Sequence, residues 1–239
     1  MDCNDLVVEA FSELAPRYEQ TMDRELRQFW GLSYRQFIGQ LVSDVPAGRS
    51  HRALDLATGT ALIPLGLADR LGDEGRVVGL DITPAMLRHG QKRIEEAGLA
   101  GRIWLVCASA TAMPFGEGVF DTVICGLGTH HMEVPRMLAE TRRVLKPGGR
   151  FLMADVGASA FWRTLCGSVL LRMLLIRYGL AHRSARARAE VEAFPNVRTA
   201  GEWRALLAEL GFAQIEVREF RARRPWYPSA LTIQAVALA

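Results

Sequence analysis

The sequence predicts an α/β fold built around a mostly parallel sheet. From residue 52 onward, short apolar runs alternate with segments of helical periodicity, and most of these runs are apolar throughout. Strands of this kind are covered by helices on both faces, as in parallel sheets with helical crossovers. With 239 residues, of which 49% are hydrophobic and 23% charged, the chain is long and apolar enough to bury such a core.

The N-terminal residues are predicted to be helical, and we assign 1–50 to an N-terminal helical cap. Between residues 4 and 43 apolar side chains recur at helical spacing, and Pro16 interrupts the pattern. We expect a second helical stretch to run from there through Leu41. The segment Pro46-Ala-Gly48 marks a loop before the first strand.

Residues 51–155 are predicted to form the core of the sheet. Its five strands are expected at 52–56, 76–81, 103–107, 120–125 and 150–155. Among the intervening helices, one is expected to begin with Thr83 as N-cap and Pro84 at its first position, and another lies around 137–145. Before the fifth strand, Lys146-Pro-Gly-Gly149 suits a type II turn.

Residues 199–239 are predicted to complete the same domain. Thr199 and Glu202 form a capping box at the start of a helix, which Gly211 ends. The apolar side chains that this helix is expected to bury are Trp203, Leu206, Leu207 and Leu210. Two alternating segments, 215–219 and 231–236, follow without a helix between them, which favours an antiparallel pair at the sheet edge.

Composition and termini narrow the class of protein. A net charge of +3 is too small to indicate a nucleic-acid partner. The four cysteines lack Cys-x-x-Cys spacing, so we expect neither a metal site nor a disulfide framework. The first residues lack the apolar core of a signal peptide, and no stretch of about 18 residues is free of charge. We therefore expect a cytoplasmic protein.

The positive charge is concentrated in one segment, 156–189, within a helical lid insertion assigned to 156–198. The segment has six arginines and no acidic residue, so its net charge is +6. Because the whole chain carries +3, the rest of the chain carries −3. It also contains the most apolar run, Val169–Ile176. Three interpretations stay open: a lid with its leucines in the core, a lid that also lines an apolar substrate tunnel, and an amphipathic face in peripheral contact with an anionic membrane.

The carboxyl ends of the strands are the expected ligand site, because open α/β sheets bind ligands there. Gly59 lies in the loop after the first strand, and Asp81 ends the second strand, where an acid binds a ribose diol. The dinucleotide fingerprint would need glycines where Ala57 and Leu62 stand, which counts against NAD and FAD. Asp55 would repel phosphates. A ligand with an adenosine, an ammonium and a sulfonium group fits better.

Several further segments carry the motifs of one known family, in the same order. They are Phe11-Ser-Glu-Leu-Ala-Pro-Arg-Tyr-Glu19, Ala108-Ser-Ala-Thr-Ala-Met-Pro-Phe115, Phe120-Asp-Thr-Val123, Gly128-Thr-His-His131 and Arg143-Val-Leu-Lys-Pro-Gly-Gly-Arg-Phe151. Together they resemble the class I S-adenosylmethionine-dependent methyltransferases, in particular the ubiquinone/menaquinone-biosynthesis C-methyltransferases. The resemblance covers 7–155, and 199–239 by architecture, whereas 156–198 match no motif.

This resemblance implies a Rossmann-like fold with S-adenosylmethionine as cofactor. It places around the cofactor Tyr18, Asp55, Ala57, Thr58, Gly59, Asp81, Ile82, Ser109, Ala110, Cys125 and Gly126. Two departures stand out. Ala57 and Ala61 replace two glycines of the family's first motif, and Ala61 is large enough to crowd the methionine end of the cofactor. Ser109 replaces the family's aspartate, which binds the adenine amino group.

Candidate bases follow the fourth strand. They are His130, His131 and Glu133, and the two histidines are favoured because a histidine titrates near neutral pH. We rank His130 ahead of His131. The alternative is that the His-His pair only shapes the loop. For Asp155, at the end of the fifth strand, contact with substrate and a role as an N-cap or exposed loop carboxylate stay open.

The resulting hypothesis is an S-adenosylmethionine-dependent methyltransferase that acts at carbon or oxygen of a small hydrophobic acceptor, such as a quinol or phenol. Two alternatives use the same fold: a protein that catalyses a cyclisation or rearrangement instead of methylation, and an N-methyltransferase of phospholipid amines. A weaker one is an NAD(P)-dependent enzyme. The oligomeric state stays open.

Overall fold

The computed structural model describes residues 3–47, 50–181, 184–224 and 227–238. Three predicted features lie partly outside these residues. They are Gly48 of the first loop, Arg183 of the arginine-rich segment, and positions 225–226 of the proline-rich connection.

The strands form a seven-stranded sheet in the order β3-β2-β1-β4-β5-β7-β6. Their bounds are β1 Arg52–Leu56, β2 Arg76–Asp81, β3 Ile103–Cys107, β4 Phe120–Gly126, β5 Leu145–Gly157, β6 Phe212–Phe220 and β7 Ser229–Ala237. The first five strands are parallel, and β7 runs antiparallel to both of its neighbours. The predicted fold class is therefore confirmed. The chain order reverses between β1 and β4, so a ligand site is expected at their carboxyl ends.

Helices cover the sheet and its carboxyl edge. They are α1 Cys3–Leu14, α2 Tyr18–Phe29, α3 Tyr34–Ser43, α4 Leu62–Leu71, α5 Pro84–Glu96, α6 Val134–Val144, α7 Leu165–Ala181, α8 Ala185–Ala193 and α9 Ala200–Glu209. The expected second helical stretch is in fact α2 and α3. The chain breaks at Gly31, whose φ is +78°, and Ser33 starts α3 with a capping box to Gln36. Assigning 1–50 to a cap remains a prediction.

The core has two layers because successive strand residues face opposite sides of the sheet. In β1, Ala53 packs with the layer that contains α3, α4 and α5, whereas Leu54 and Leu56 pack with the layer of α6 and α9. All three side chains are fully buried. Burial on both faces explains why the strand reads as an uninterrupted apolar run except for Asp55.

Several predicted local signals differ in detail from the structure. Pro84 begins α5 after Thr83, but the Thr83 side chain does not cap the helix; its backbone N–H donates to Asp81 instead. Gly148 has the φ of +76° that a type II turn needs, yet the turn falls inside β5, which already begins at Leu145. The capping box of Thr199 is complete. Of the apolar side chains assigned to α9, Trp203 and Leu207 are buried, but Leu206 and Leu210 are only partly so.

The segment after β5 folds as α7 and α8. Helix α8 packs on α1 through Leu6, Ala10, Ala185 and Ala189. Helix α7 instead exposes large apolar side chains, among them Leu165 and Ile176. The interpretation that this segment is a lid with its leucines in the core is therefore wrong for Leu165 and Leu170. Within the described residues, no helix combines the length and apolar character that crossing a membrane requires.

Candidate active site

A cavity of about 510 Å³ opens at the carboxyl ends of the parallel strands. The loops after β1, β2, β3 and β4 form its floor, and α1 with Tyr18 covers it. Seven of the predicted cofactor residues line it, namely Tyr18, Ala57, Gly59, Asp81, Ile82, Ser109 and Ala110. The reversal of chain order between β1 and β4 therefore brings together residues that are up to 92 positions apart in the sequence.

The loop after β1 is tightly coiled. Ala57, Gly59 and Ala61 have φ values of +52°, +54° and +63°. For an alanine this left-handed conformation costs roughly 1–2 kcal/mol. The coil turns the Gly59 N–H toward Asp81, whose Oδ2 accepts it at 2.8 Å.

The two alanines that replace family glycines have different surroundings. Ala57 lines the cavity and lies against Gly128, where an added Cβ would come within 2.6 Å of the Ala57 Cβ. Ala61 is fully buried at the start of α4, and a Cβ added at Gly90 would lie 3.1 Å from the Ala61 Cβ. The structure thus contradicts the expectation that Ala61 crowds the cofactor, because its methyl group packs toward α5.

Asp81 presents a carboxylate to the cavity. The residue is 7% exposed, and its oxygens accept the N–H groups of Gly59 and Thr83, each at 2.8 Å. Burial raises the pKa of Asp81, and these amides oppose the shift. Each carboxylate oxygen has a second lone-pair site, so the group can also accept two hydroxyl hydrogen bonds from a ribose.

Asp55 is a buried carboxyl group that lacks hydrogen-bond partners in the described part of the chain. It is fully buried at the end of β1, and neither carboxylate oxygen has a hydrogen-bond partner within the described residues. Burial raises the pKa of Asp55 well above its ordinary value. Asp55 does not itself line the cavity, but because an unpaired buried carboxylate is costly, a cation bound close to the end of β1 would stabilise it. The orphaned carboxylate and the ribose acceptor Asp81 therefore fit S-adenosylmethionine.

Besides Asp55, four other predicted residues lie off the cavity wall. Gly126 faces the helices, since a Cβ there would meet Ile63 and Ile38 within 3 Å. Cys125 of β4 and Thr58 of the loop after β1 are buried. His130 also lies behind the wall, whereas His131 lines it.

His130 forms a buried pair with Asp155. Its Nδ1 lies 2.8 Å from Asp155 Oδ1, and the same carboxylate accepts the Thr129 hydroxyl and the N–H of Val156. Burial lowers the pKa of His130, but the Asp155 charge outweighs it and the net value is about 8. The pKa of Asp155 is lowered despite its burial, chiefly by His130. Asp155 is thus neither an N-cap nor an exposed carboxylate; it holds the loop that carries the histidines.

His131 is the histidine that faces the cavity. Its ring meets Phe11 edge to face at 5.1 Å, and its Nδ1 is buried without a partner among the residues described. Burial lowers the pKa of His131 well below 6.5, and the charges of His130 and Arg186 lower it further. His131 is therefore neutral at pH 7.

The sequence did not point to Glu190 and Asn196, which reach this site from the insertion. Glu190 of α8 places carboxylate oxygens 4.0 Å from the Nε2 atoms of both histidines. Asn196 lines the cavity and donates to the His130 carbonyl at 3.2 Å. The only sequence signal for Glu190 is that it ends the acid-free segment.

His130, His131 and Glu190 also form a cluster of potential metal ligands. One donor atom from each side chain lies within 4.8 Å of the others, a set that could hold a divalent cation. Arg186 Nε lies 3.6 Å from Glu190 Oε1, and its positive charge opposes a metal there. The expectation of a protein without a metal stays a prediction.

Comparison with known proteins decides the family. The model of the ubiE/COQ5 methyltransferase family matches residues 2–162, which is about two thirds of the chain. The chain belongs to this family. It is therefore a methyltransferase that uses S-adenosylmethionine, which excludes the NAD(P) hypothesis.

Individual relatives agree with this assignment. A ubiquinone/menaquinone biosynthesis C-methyltransferase from Geobacter sulfurreducens is 28% identical over 212 residues, which are 87% of this chain and 81% of the relative. The (4+2)-cyclase SpnF superposes with a TM-score of 0.74 at 15% identity, over 98% of this chain and 95% of its own. A phosphoethanolamine N-methyltransferase 2 from Haemonchus contortus, solved with S-adenosylhomocysteine, has a TM-score of 0.71 at 16% identity, over 100% of this chain and 61% of its own. The two structures show the shared fold.

Ser109 offers a gain-of-affinity test of the methyltransferase. Its Oγ lies 2.8 Å from the Thr111 hydroxyl and accepts the Thr111 N–H, so it is already engaged. Ser109→Asp is expected to bind S-adenosylmethionine about tenfold more tightly, because a hydrogen bond to a charged acceptor is worth about 1.5–3 kcal/mol. Titration calorimetry measures the change, with Ser109→Ala as the control. Unchanged or weaker binding by Ser109→Asp would place the adenine elsewhere.

The His130–Asp155 pair makes the stability of the methyltransferase depend on pH. A folded-state pKa of about 8, above the ordinary 6.5, contributes stability that is full below pH 6.5 and is lost as the pH rises through 8. His130→Gln is therefore expected to destabilise the protein by about 2 kcal/mol more at pH 6 than at pH 9. Urea unfolding of both proteins at the two pH values measures this difference. Equal losses would mean that His130 is neutral in the fold.

Proposed function

We propose that this methyltransferase methylates carbon or oxygen of a small hydrophobic phenol or quinol. His131 carries the proposal, because it is a neutral imidazole on the cavity wall beside the ring of Phe11. Val7, Leu127 and Met132 also line the cavity and offer apolar contacts to an aromatic acceptor. The Geobacter relative, named for ubiquinone/menaquinone biosynthesis, supports an acceptor of this class.

The cofactor residues position and shield the reactants. When bound, S-adenosylmethionine supplies an activated methyl group, because its transfer releases a neutral thioether. Asp81 would hold the ribose hydroxyls, and Ser109 and Ala110 would contact the adenine. Tyr18, 7% exposed and reaching over the cavity from the start of α2, would exclude water from the reacting end.

The histidines would handle the proton. A phenol becomes nucleophilic at oxygen, or at the neighbouring ring carbon, once its hydroxyl proton is removed. His131 can accept that proton because it is uncharged and lies on the cavity wall. Its lowered pKa makes it a weak base, but the charges on His130 and Arg186 that lower the pKa would also stabilise the phenolate.

Transfer of a labelled methyl group tests the proposal. Purified protein is incubated with methyl-labelled S-adenosylmethionine and, separately, with a panel of quinols and phenols, with a lipid extract, and with phosphatidylethanolamine. We expect label in apolar aromatic products, stable to hydrolysis where carbon is methylated. Label only in phospholipid amines would replace the proposal with the N-methyltransferase alternative. Cofactor binding without transfer to any acceptor would favour the cyclisation or rearrangement alternative.

A further inference from the structure

Helix α7 carries an apolar stripe on its exposed face. Leu165, Val169, Met173 and Ile176 are spaced by four, four and three residues, so they share one face of the helix. They are 82%, 47%, 56% and 63% exposed. We call these four side chains the α7 stripe.

Apolar exposure is concentrated around this stripe. Of the nine large hydrophobic side chains that are exposed within the described residues, six lie between 161 and 176. The other three, Trp104, Phe220 and Leu238, lie on or next to strands of the sheet. A contiguous exposed patch of this kind indicates an interaction surface.

The charges around the stripe favour an anionic partner. Arg172 and Arg177 are exposed beside it and form no ion pair among the residues described. The other described arginines of the segment are engaged: Arg163 with Glu202, Arg186 with Glu25 and Arg188 with Glu9. No acidic residue occurs between 156 and 189 to balance the two free charges.

The same charges argue against a second copy of the chain. Across a two-fold interface the same patch meets itself, so the arginines of one copy would approach those of the other. An anionic bilayer instead offers acyl chains to the apolar stripe and headgroups to the flanking guanidinium groups. Long arginine side chains can lie along the apolar surface while the charged end stays in the headgroup layer.

We propose that the α7 stripe, with Arg172 and Arg177, docks the protein on the surface of an anionic bilayer. Helix α7 follows β5 and packs against α8, whose Glu190 reaches the cavity histidines. Docking therefore brings the cavity side of the molecule close to lipid, where an apolar acceptor would be concentrated. Only this consequence for the acceptor rests on the proposed function.

Vesicle binding tests the docking without cofactor or acceptor. Wild-type protein is floated with vesicles of phosphatidylcholine alone and with 30 mol% phosphatidylglycerol. We expect binding to the anionic vesicles to weaken about thirtyfold in R172Q/R177Q, since each basic residue near such a surface is worth about 1 kcal/mol. M173E/I176E is expected to lose at least tenfold, because it places charge where apolar groups are buried.

Matched controls separate the stripe from general changes in charge or apolarity. R35Q/R88Q removes two exposed arginines from α3 and α5, and W104E/F220E adds charge at exposed apolar positions on the two edge strands. Both are expected to bind vesicles as the wild type does. The proposal is overturned if the wild type shows no preference for anionic vesicles, or if the control variants lose as much vesicle binding as the stripe variants. It is also overturned if the wild type binds no lipid and light scattering shows that it forms a dimer, which M173E/I176E dissociates.

Discussion

Asp81→Ala is expected to weaken the binding of S-adenosylmethionine at least a hundredfold. The carboxylate can accept both ribose hydroxyls, and each hydrogen bond to a charged group is worth about 1.5–3 kcal/mol. It also holds the N–H of Gly59 at 2.8 Å and so maintains the coil of the first loop. Titration calorimetry measures the affinity, and circular dichroism checks that the variant remains folded.

Two further variants define what a loss at Asp81 means. Asp81→Asn keeps the shape and an acceptor oxygen, so a smaller loss is expected. Asp121→Ala removes a carboxylate that accepts the Arg52 N–H at 2.8 Å at the opposite end of the sheet, and it should leave the affinity unchanged. If Asp81→Ala bound the cofactor as the wild type does, the ribose site would lie elsewhere.

His131→Gln is expected to lower kcat by about 10²–10⁴-fold, the usual contribution of a general base. The KM for S-adenosylmethionine should change little, because the proton acceptor acts on the acceptor molecule. Since burial holds the pKa of His131 well below 6.5, protonation of His131 should lower the wild-type rate only at pH values below that. Steady-state rates from pH 5 to 9 with the acceptor found by methyl labelling measure both effects.

A second histidine provides the comparison for His131. His51 lies near the opposite end of the sheet, where its Nε2 contacts the Thr122 hydroxyl at 2.9 Å. His51→Gln is therefore expected to leave kcat unchanged. If His131→Gln kept the wild-type kcat, His131 would not be the base, and the role of the histidine pair would be to shape the loop.

Most of the sheet was predictable because its signals are local. The predicted bounds of β1, β2 and β3 agree with the structure, since each strand is an apolar run that turn residues delimit. The break between α2 and α3 was missed because apolar side chains continue in helical spacing across it. Only the conformation of Gly31 and the Ser33 cap shows that the chain turns there.

The two halves of the site differed in how well they could be predicted. Gly59 and Asp81 follow strands that pair in the sheet, so their contact follows from topology and spacing. Which of the two histidines faces the cavity does not follow from topology or spacing. The intrinsic pKa of a histidine is the same for His130 and His131 and cannot rank them, whereas the structure ties His130 to Asp155 and puts His131 on the cavity wall.

The sequence by itself determined the α/β sheet, the family and the cofactor, because each depends on short motifs whose residues are contiguous in the chain. Tertiary structure alone decided which histidine faces the cavity, that Glu190 approaches both, and that the α7 stripe is exposed. These depend on where an insertion without a known motif packs. Apolar periodicity indicates that a helix has a face to cover, but only the surrounding fold determines whether that face is buried or left at the surface.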